Sequence, residues 1–289
     1  MSDDGDRPAR VVMVTGHVFG IRAFEGVTSA PAYLEGRVEI PLVIGLDAGL
    51  AGGTVGYHPV RPLAEQLGVR CFDTTDGRLT SHAGLLRELR PDYVLVIGWS
   101  RLVSTEVLGI PAAGCVGMHP TRLPSGRGQA PIPWTIIKGL RDTALSVFFL
   151  EAGADTGAVI ARHELSVHPR ETALSLFNRV AQTHFTAGFE LAAGLGARSV
   201  RGEPQDPAEA TVWGKRRPAD GEITPDLTAD QVDALVRALL GPYPRAFAVA
   251  GGTPHPVVAV ERATGDRPAP GRLRFTCADA VLDLVTTTP

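Results

Sequence analysis

A chain of 289 residues with 44% hydrophobic and 20% charged residues has room for one large and one small domain. A net charge of −3 and a pI near 6.2 exclude a general electrostatic attraction to nucleic acid or anionic membranes. Three widely spaced cysteines argue against a disulfide framework or a cysteine-rich zinc site and fit a reducing compartment. The polar start of the chain does not resemble a signal peptide, and no apolar run approaches the roughly 18 residues of a spanning helix. We therefore expect a cytoplasmic protein without membrane contact.

The first half of the chain predicts strands alternating with helices. Residues 11–15 form a β-branched run that predicts a buried strand, and Gly16 and Gly20 behind it are spaced wrongly for a dinucleotide-binding fingerprint. Residues 92–99 (DYVLVIGW) give the strongest strand signal, because they are apolar on both faces. The other predictions are strands at 40–47, 69–72 and 115–118, helices at 62–67 and 82–89, and a glycine-rich loop at 49–56. This alternation predicts an α/β fold with a Rossmann-like, doubly wound, mostly parallel sheet.

The second half predicts a change of domain. Strands at 144–150 and 158–165 precede a long helix at about 171–195, and a polar, proline-bearing stretch follows. Beyond it, a helix at about 229–240 stands among short β-like pieces. We predict an N-terminal domain at 1–200, a linker at 201–210 and a small α+β or barrel-like domain at 211–289.

Residues 114–134 (GCVGMHPTRLPSGRGQAPIPW) are predicted to form the active-site loop. A loop this rich in proline and glycine has few conformations to lose on folding, so it can hold side chains in fixed places. It follows a buried strand, and open α/β sheets bind their ligands beyond the carboxyl ends of the strands.

Three side chains in and after this loop are candidates for chemistry. His119 stands where the strand enters the loop, and Asp155 stands in a turn between two strands. A carboxylate beside a histidine holds the imidazole in one tautomer for acid–base work. Each also has a purely structural interpretation: His119 bonded to backbone, Asp155 as a turn residue, and Arg127 paired with a carboxylate or carbonyl.

Three motifs follow one another along the chain: HPxxLPxxRG from His119, APIxW ending at Trp134, and DTG beginning at Asp155, 36 residues after the histidine. In order and spacing, these motifs resemble the folate-dependent formyltransferase family, which includes methionyl-tRNA formyltransferases, glycinamide ribonucleotide transformylases and sugar N-formyltransferases. The glycines of the GHVFG turn at residues 16–20 match the family's opening. KRRPADGEI and RALLGPYPRAF in the second domain are similar to the tRNA and amino-sugar enzymes. The resemblance covers most of the chain and is closest in type to the amino-sugar enzymes.

The resemblance implies that the N-terminal domain is catalytic and moves a formyl group from 10-formyltetrahydrofolate to an amine without a metal. His119 would act as the base or polarise the carbonyl, and Asp155 would orient it. Loop or substrate contacts are implied for Pro120, Thr121 and Arg127. The pterin would meet the end of the buried strand and the later turn, at Ile97, Gly98, Trp99, Ser100, Arg101, Glu151, Ala154 and Asp155.

Gly117 departs from the family pattern, which is Asn-x-His with the asparagine stabilising the oxyanion. Glycine offers no side-chain donor, and removing one such donor typically costs about 10²–10³ in rate. Loop N–H groups, His119 as imidazolium or Ser100 could supply the donor. Alternatively, the acceptor or the one-carbon donor differs from the family norm, or the protein is inactive as a formyltransferase. Gly117→Asn is expected to be tolerated or to raise activity, and a complete loss of activity would mean that Gly117 is needed for space.

The charge of the second domain favours a small acceptor. From Pro207 onward it carries nine Lys or Arg and ten Asp or Glu, and its only basic cluster is residues 215–217, whereas a tRNA requires clustered phosphate contacts. We expect a nucleotide-linked amino sugar or a biosynthetic amine as the acceptor and no nucleic-acid partner; a homodimer is compatible with the sequence. The alternatives are a methionyl-tRNA formyltransferase, a formyltetrahydrofolate hydrolase and a non-catalytic folate- or metabolite-binding relative.

Overall fold

The structure is a computed structural model that describes residues 7–265 and 267–287. Residues 1–6, on which the expectation about a signal peptide partly rests, lie outside the described residues. The chain divides into two compact units: the first takes residues up to 127, 144–164 and 179–212, and the second takes 128–143, 165–178 and residues from 213 onward. The domain limits at 200 and 211 stay a prediction.

The bounds of the elements follow the predicted alternation. The strands are β1 (Ala9–Val14), β2 (Val38–Leu46), β3 (Cys71–Thr74), β4 (Tyr93–Val96), β5 (Gly114–His119), β6 (Arg127–Gly128), β7 (Asp142–Phe149), β8 (Val159–Ser166), β9 (Val212–Trp213), β10 (Phe247–Ala250), β11 (Thr253–Arg262), β12 (Arg272–Thr276) and β13 (Val281–Thr286). The α-helices are α1 (Val18–Ser29), α2 (Pro31–Leu34), α3 (Arg61–Gln66), α4 (Ala83–Leu89), α5 (Thr105–Leu108), α6 (Pro131–Ile137), α7 (Ala173–Gly196) and α8 (Ala229–Ala238). Short 3₁₀ helices lie at Ala48–Gly53, Leu79–His82, Pro207–Glu209 and Pro218–Gly221.

A seven-stranded sheet has the order β3-β2-β1-β4-β5-β7-β8. The five strands from β3 to β5 in that order are parallel, and β7 runs antiparallel to β5. This arrangement confirms the predicted Rossmann-like, mostly parallel fold. Two local predictions were wrong: the strand expected at 92–99 is ordered as strand only over Tyr93–Val96, and the glycine-rich stretch forms a 3₁₀ helix at Ala48–Gly53. Strand β4 ends early because the chain turns at Gly98, which has a φ of 65°, a conformation that glycine adopts without a steric penalty.

The first unit is built around the central strands β1 and β4, which are buried on both faces. Val12 and Val14 alternate along β1 and pack with the equivalent residues of β2 and β4 and with Leu86 of α4, as the two-residue period of a strand requires. On α7, Gly188 allows close helix packing: a Cβ there would lie 2.3 Å from the carbonyl oxygen of Ala23 in α1. Their packing fixes α1, whose N-terminus begins at the carboxyl edge of the sheet.

The second unit contains an antiparallel sheet of order β10-β11-β13-β12, which confirms the predicted small α+β domain. Helix α8 packs on it with Val232 and Val236, and its N-terminus is closed by a capping box between Thr228 and Gln231. Among residues 7–265 and 267–287, no helix combines the length and the apolar character needed to cross a membrane.

Candidate active site

The candidate site lies at the carboxyl edge of the parallel sheet, in the first unit. His119 is the last residue of β5, and the predicted pterin-binding residues from Ile97 follow β4, the parallel neighbour of β5. Parallel neighbours end at the same edge, so the topology brings these two segments together. Gly98 lies against His17 at the start of α1, since a Cβ on Gly98 would be 2.5 Å from the Cβ of His17.

The imidazole of His119 is buried and held in one tautomer. Its Nε2 lies 2.9 Å from the carbonyl oxygen of Gly126, in the loop that follows. Because a carbonyl oxygen only accepts hydrogen bonds, Nε2 must carry a proton, and the neutral ring keeps its lone pair on Nδ1. Nδ1 is therefore the nitrogen able to take a proton from a substrate.

Asp155 faces that nitrogen. Its Oδ2 lies 3.8 Å from Nδ1 of His119, and the two side chains are only 19% and 10% exposed. The distance is too long for a direct hydrogen bond but short enough for the carboxylate to stabilise a protonated ring. Asp155 also has a φ of 55°, which is uncommon for a residue with a side chain. The structure thus brings together two residues that are 36 positions apart in the sequence.

Gly117 lies on the same face of β5 as His119, two residues before it. A Cβ at position 117 would lie 2.6 Å from Cδ2 of Leu150 and 3.4 Å from the ring of Phe148. The volume next to Gly117 is therefore filled by the Leu150 side chain, which had no part in the sequence-based prediction. The sequence shows only that Leu150 is apolar, and this does not distinguish a residue of the hydrophobic core from one that fills the volume beside Gly117.

The remaining loop residues have different surroundings. Arg127 directs Nε and Nη2 to the single oxygen Oε1 of Gln205, at 3.1 and 2.8 Å, which fits the structural interpretation of this arginine. Pro120 and Thr121 are buried, and the Thr121 hydroxyl has no hydrogen-bond partner among the described residues. The amide N–H of Thr121 donates to the carbonyl of His119, so these residues form a tight turn at the end of β5.

The predicted pterin contacts differ in exposure. Ile97 is fully buried and Gly98 and Trp99 are half-buried, whereas the other positions before and after the turn are exposed, namely Ser100, Arg101, Glu151 and Ala154. The guanidinium of Arg101 covers the backbone of Gly77. The exposed set is available to a ligand, but its assignment to the pterin remains a prediction.

Sequence reasoning missed two residues that contact the backbone beside His119 and Asp155, namely Gln205 and Thr211. Gln205 donates from Nε2 to the carbonyl oxygens of Asp155 and Gly157 at 2.9 and 2.7 Å. The Thr211 hydroxyl accepts from the N–H of Gly126 at 2.8 Å. Gln205 lies in the stretch interpreted as a linker because it is polar and proline-bearing, and Thr211 is the first residue of the predicted small domain. Most of their partners are backbone atoms, which a sequence pattern does not reveal.

Two buried histidines lie behind the edge of the sheet. His17 caps α1 by accepting from the N–H of Phe19 at 3.0 Å, and burial lowers its pKa to about 4. The ring of Phe19 stacks on His184 with 4.5 Å between centroids, and burial lowers the pKa of His184 to about 3. Both rings are therefore neutral near pH 7 and belong to the packed support of the site. Within the part of the chain that the structure describes, no three potential ligands are grouped to hold a metal ion.

Known proteins match this chain in sequence and in fold. The family model of formyl transferase matches residues 26–189. A methionyl-tRNA formyltransferase from Desulfotalea psychrophila is 32% identical over 189 residues, which are 65% of this chain but only 58% of that relative's length. A solved methionyl-tRNA formyltransferase from Clostridium thermocellum is 22% identical, with a TM-score of 0.63 over 89% of this chain and 95% of that one. An N-formyltransferase from Helicobacter canadensis, solved with folinic acid and dTDP-3-aminofucose, is 12% identical, with a TM-score of 0.71 over 96% and 99% of the two chains. Because the family model spans more than half of the sequence, the chain belongs to the formyl transferase family.

Proposed function

We propose that this protein transfers a formyl group from 10-formyltetrahydrofolate to the primary amine of a small acceptor. The observation that carries the proposal is the buried His119, whose free Nδ1 faces Asp155 at 3.8 Å at the carboxyl edge of the sheet. Membership of the formyl transferase family supports the same reaction.

The proton movements follow from this geometry. As the amine nitrogen bonds to the formyl carbon, it loses a proton to Nδ1 of His119, because Nε2 is already committed to Gly126. The carboxylate of Asp155 stabilises the imidazolium that results. The tetrahedral intermediate then collapses, the bond from the carbon to the folate N10 breaks, and the imidazolium returns its proton to that nitrogen. Acid–base assistance of this kind contributes about 10²–10⁴ in rate.

The oxyanion of the intermediate needs a donor that position 117 does not supply. The imidazolium of His119, N–H groups of the loop after it, and Ser100 beyond β4 remain the candidates of the proposal. Ser100 is exposed, so its hydroxyl is free to rotate toward a ligand.

We propose a nucleotide-linked amino sugar or a related biosynthetic amine as the acceptor. The near-neutral charge from Pro207 onward supports a small molecule, and the Helicobacter canadensis enzyme of the same fold was solved with dTDP-3-aminofucose. The relative from Desulfotalea psychrophila favours initiator methionyl-tRNA as the second candidate.

Turnover of 10-formyltetrahydrofolate separates these functions. Tetrahydrofolate release that depends on an added amine supports the transferase, and the amine that gives the highest kcat/KM, dTDP-amino sugar or methionyl-tRNA, assigns the acceptor. Release that is independent of amine indicates a hydrolase, and binding without release indicates a binding protein.

The catalytic pair has its own test. We expect His119→Ala and Asp155→Ala each to lower kcat by about 10²-fold or more, while the fold is kept. His255→Ala, on β11, and Asp226→Ala, at an exposed position, both lie in the second unit and are matched controls expected to keep wild-type turnover. Near-wild-type turnover of either site variant would contradict the mechanism.

A further inference from the structure

Each member of the catalytic pair is held through its neighbouring backbone by one continuous stretch, residues 203–211 of the first unit, which includes the 3₁₀ helix Pro207–Glu209. On one side, Gln205 binds the turn that carries Asp155; on the other, Thr211 binds the amide of Gly126, the residue whose carbonyl contacts His119. We infer that Gln205 and Thr211 are positioning residues that set the distance between the imidazole and the carboxylate. The inference rests on the proposed function for its kinetic part and on hydrogen-bond geometry for its spectroscopic part.

Gln205 is saturated with hydrogen bonds. Its two N–H groups go to the carbonyl oxygens of Asp155 and Gly157, at 2.9 and 2.7 Å, and its oxygen receives both donors of the Arg127 fork. One side chain therefore joins the loop after His119 to the turn of Asp155. The primary amide is the side-chain group that can donate two bonds and accept two at once.

The backbone of Asp155 needs such support. Its φ of 55° lies in the left-handed region, which is unfavourable for a residue with a side chain, and surrounding contacts must hold it. The side-chain N–H groups of Gln205 donate to the carbonyl oxygens of Asp155 and of Gly157, two residues further on. Without these bonds, the turn is free to adopt a lower-energy backbone that moves the carboxylate away from His119.

Thr211 holds the other half of the site by four hydrogen bonds. Its amide donates to the carbonyl of Pro124 at 3.3 Å, and its carbonyl accepts from the N–H of Arg127 at 2.9 Å. Its hydroxyl accepts from the N–H of Gly126 at 2.8 Å and bonds Ser125 at 3.1 Å. The carbonyl of Gly126 is the group that fixes Nε2 of His119, so the Thr211 hydroxyl acts on the imidazole through one residue.

Gln205→Glu separates the two halves of the glutamine's role. A carboxylate still accepts from Arg127, but it cannot donate to the carbonyls of Asp155 and Gly157, and it repels them. We expect kcat to fall about 10²-fold, the typical loss when a catalytic group is displaced by about 1 Å. Gln182→Glu, the same change on an exposed helical position that accepts from Arg22, is the matched control.

A double-mutant cycle distinguishes positioning from general structure. If Gln205 acts through Asp155, then Gln205→Glu added to Asp155→Asn lowers kcat no further than about two-fold. The inference would be overturned if the double variant had a kcat about 10²-fold below that of Asp155→Asn, or if Gln205→Glu alone kept the wild-type kcat.

An NMR measurement tests the same inference without turnover. The imidazole ¹⁵N signals of His119 report which ring nitrogen carries the proton. We expect Thr211→Val to reduce the Nε2–H form, because it loosens the Gly126 carbonyl that binds Nε2. Gln205→Glu and Asp155→Asn, which displace or remove the carboxylate beside Nδ1, should change the Nδ1 signal in a direction common to these two variants. Thr183→Val, which removes a hydroxyl bonded to Arg179 on α7, is the control. Unchanged His119 signals in all three site variants overturn the inference even if the protein is an active transferase. Changed signals in a protein without formyl transfer uphold the inference and reject the proposed function.

Discussion

Replacement of Gly117 by asparagine tests whether a side chain at this position can donate to the oxyanion, as the resemblance to the family implies for the asparagine of Asn-x-His. The new Cβ would lie 2.6 Å from Cδ2 of Leu150, and real Cβ atoms do not approach that closely. The Leu150 methyl is the end of a flexible, partly exposed side chain, so it can move, although it packs against Leu123, Phe148 and Val159. Full overpacking of a core costs about 1–3 kcal/mol, and a side chain that can move aside puts the cost at the lower end of that range.

The steric cost and the catalytic gain are separable in a double variant. Leu150→Ala vacates the volume, so Gly117→Asn with Leu150→Ala should place the amide beside His119 without strain. An added oxyanion donor is worth about 10²–10³ in rate where the native site has none, and less where loop N–H groups already serve. We therefore expect Gly117→Asn alone to be destabilised without a gain in kcat, and the double variant to have a kcat at least as high as that of Leu150→Ala.

Urea unfolding and tetrahydrofolate release are measured on both single variants and on the double variant. Gly84→Asn is the control, because a Cβ on Gly84 meets nothing within 4 Å. Unchanged stability in Gly117→Asn would refute the steric argument. A double variant less active than Leu150→Ala would refute the idea that position 117 faces the reacting carbon.

Two further predictions concern stability. Burial lowers the folded-state pKa of His17 from 6.5 to about 4, so between these values the unfolded chain binds more protons, and His17 lowers the stability by about 2 kcal/mol as the pH is lowered from about 7 to about 5. Burial of His184, whose pKa is lowered to about 3, adds a loss of the same sign. His17→Asn, which keeps a cap for α1 but does not titrate there, should therefore reduce the slope of the urea midpoint against pH without abolishing it, and an unchanged slope would contradict this prediction. Asp92 is buried, and although its burial favours the neutral form, bonds from Arg7, Arg198 and the amide of Arg10 lower its pKa overall. Asp92→Asn should cost about 1.5–3 kcal/mol of unfolding free energy, and a loss below about 0.5 kcal/mol would show that these bonds contribute little.

The fold could be predicted from the sequence because its information is local. Apolar runs such as that of β1, separated by amphipathic helices at a steady rhythm, lead directly to a parallel sheet. The end of β4 could not be predicted, because hydrophobic character continues through Ile97 while the backbone turns at Gly98. An apolar pattern predicts which residues are buried, but a buried residue such as Ile97 can lie beyond the last residue with strand geometry.

The candidate site was only partly accessible to sequence reasoning. Motif order pointed to His119 and Asp155, and the structure places them 3.8 Å apart. The sequence did not indicate the roles of Leu150, Gln205 and Thr211, because these roles depend on contacts between residues distant in the chain. Leu150 lies where a side chain at Gly117 would project, and the other two bind backbone carbonyl and amide groups. Such partners have no side-chain identity that a sequence pattern could reveal.

The most direct test of the proposed mechanism is the release of tetrahydrofolate from 10-formyltetrahydrofolate, measured with and without a dTDP-amino sugar, for the wild type and for His119→Ala. We predict release that requires the amine, yields one formylated amine per tetrahydrofolate, and falls about 10²-fold or more in the variant. Equal release with and without any amine, or a variant as fast as the wild type, would contradict the mechanism.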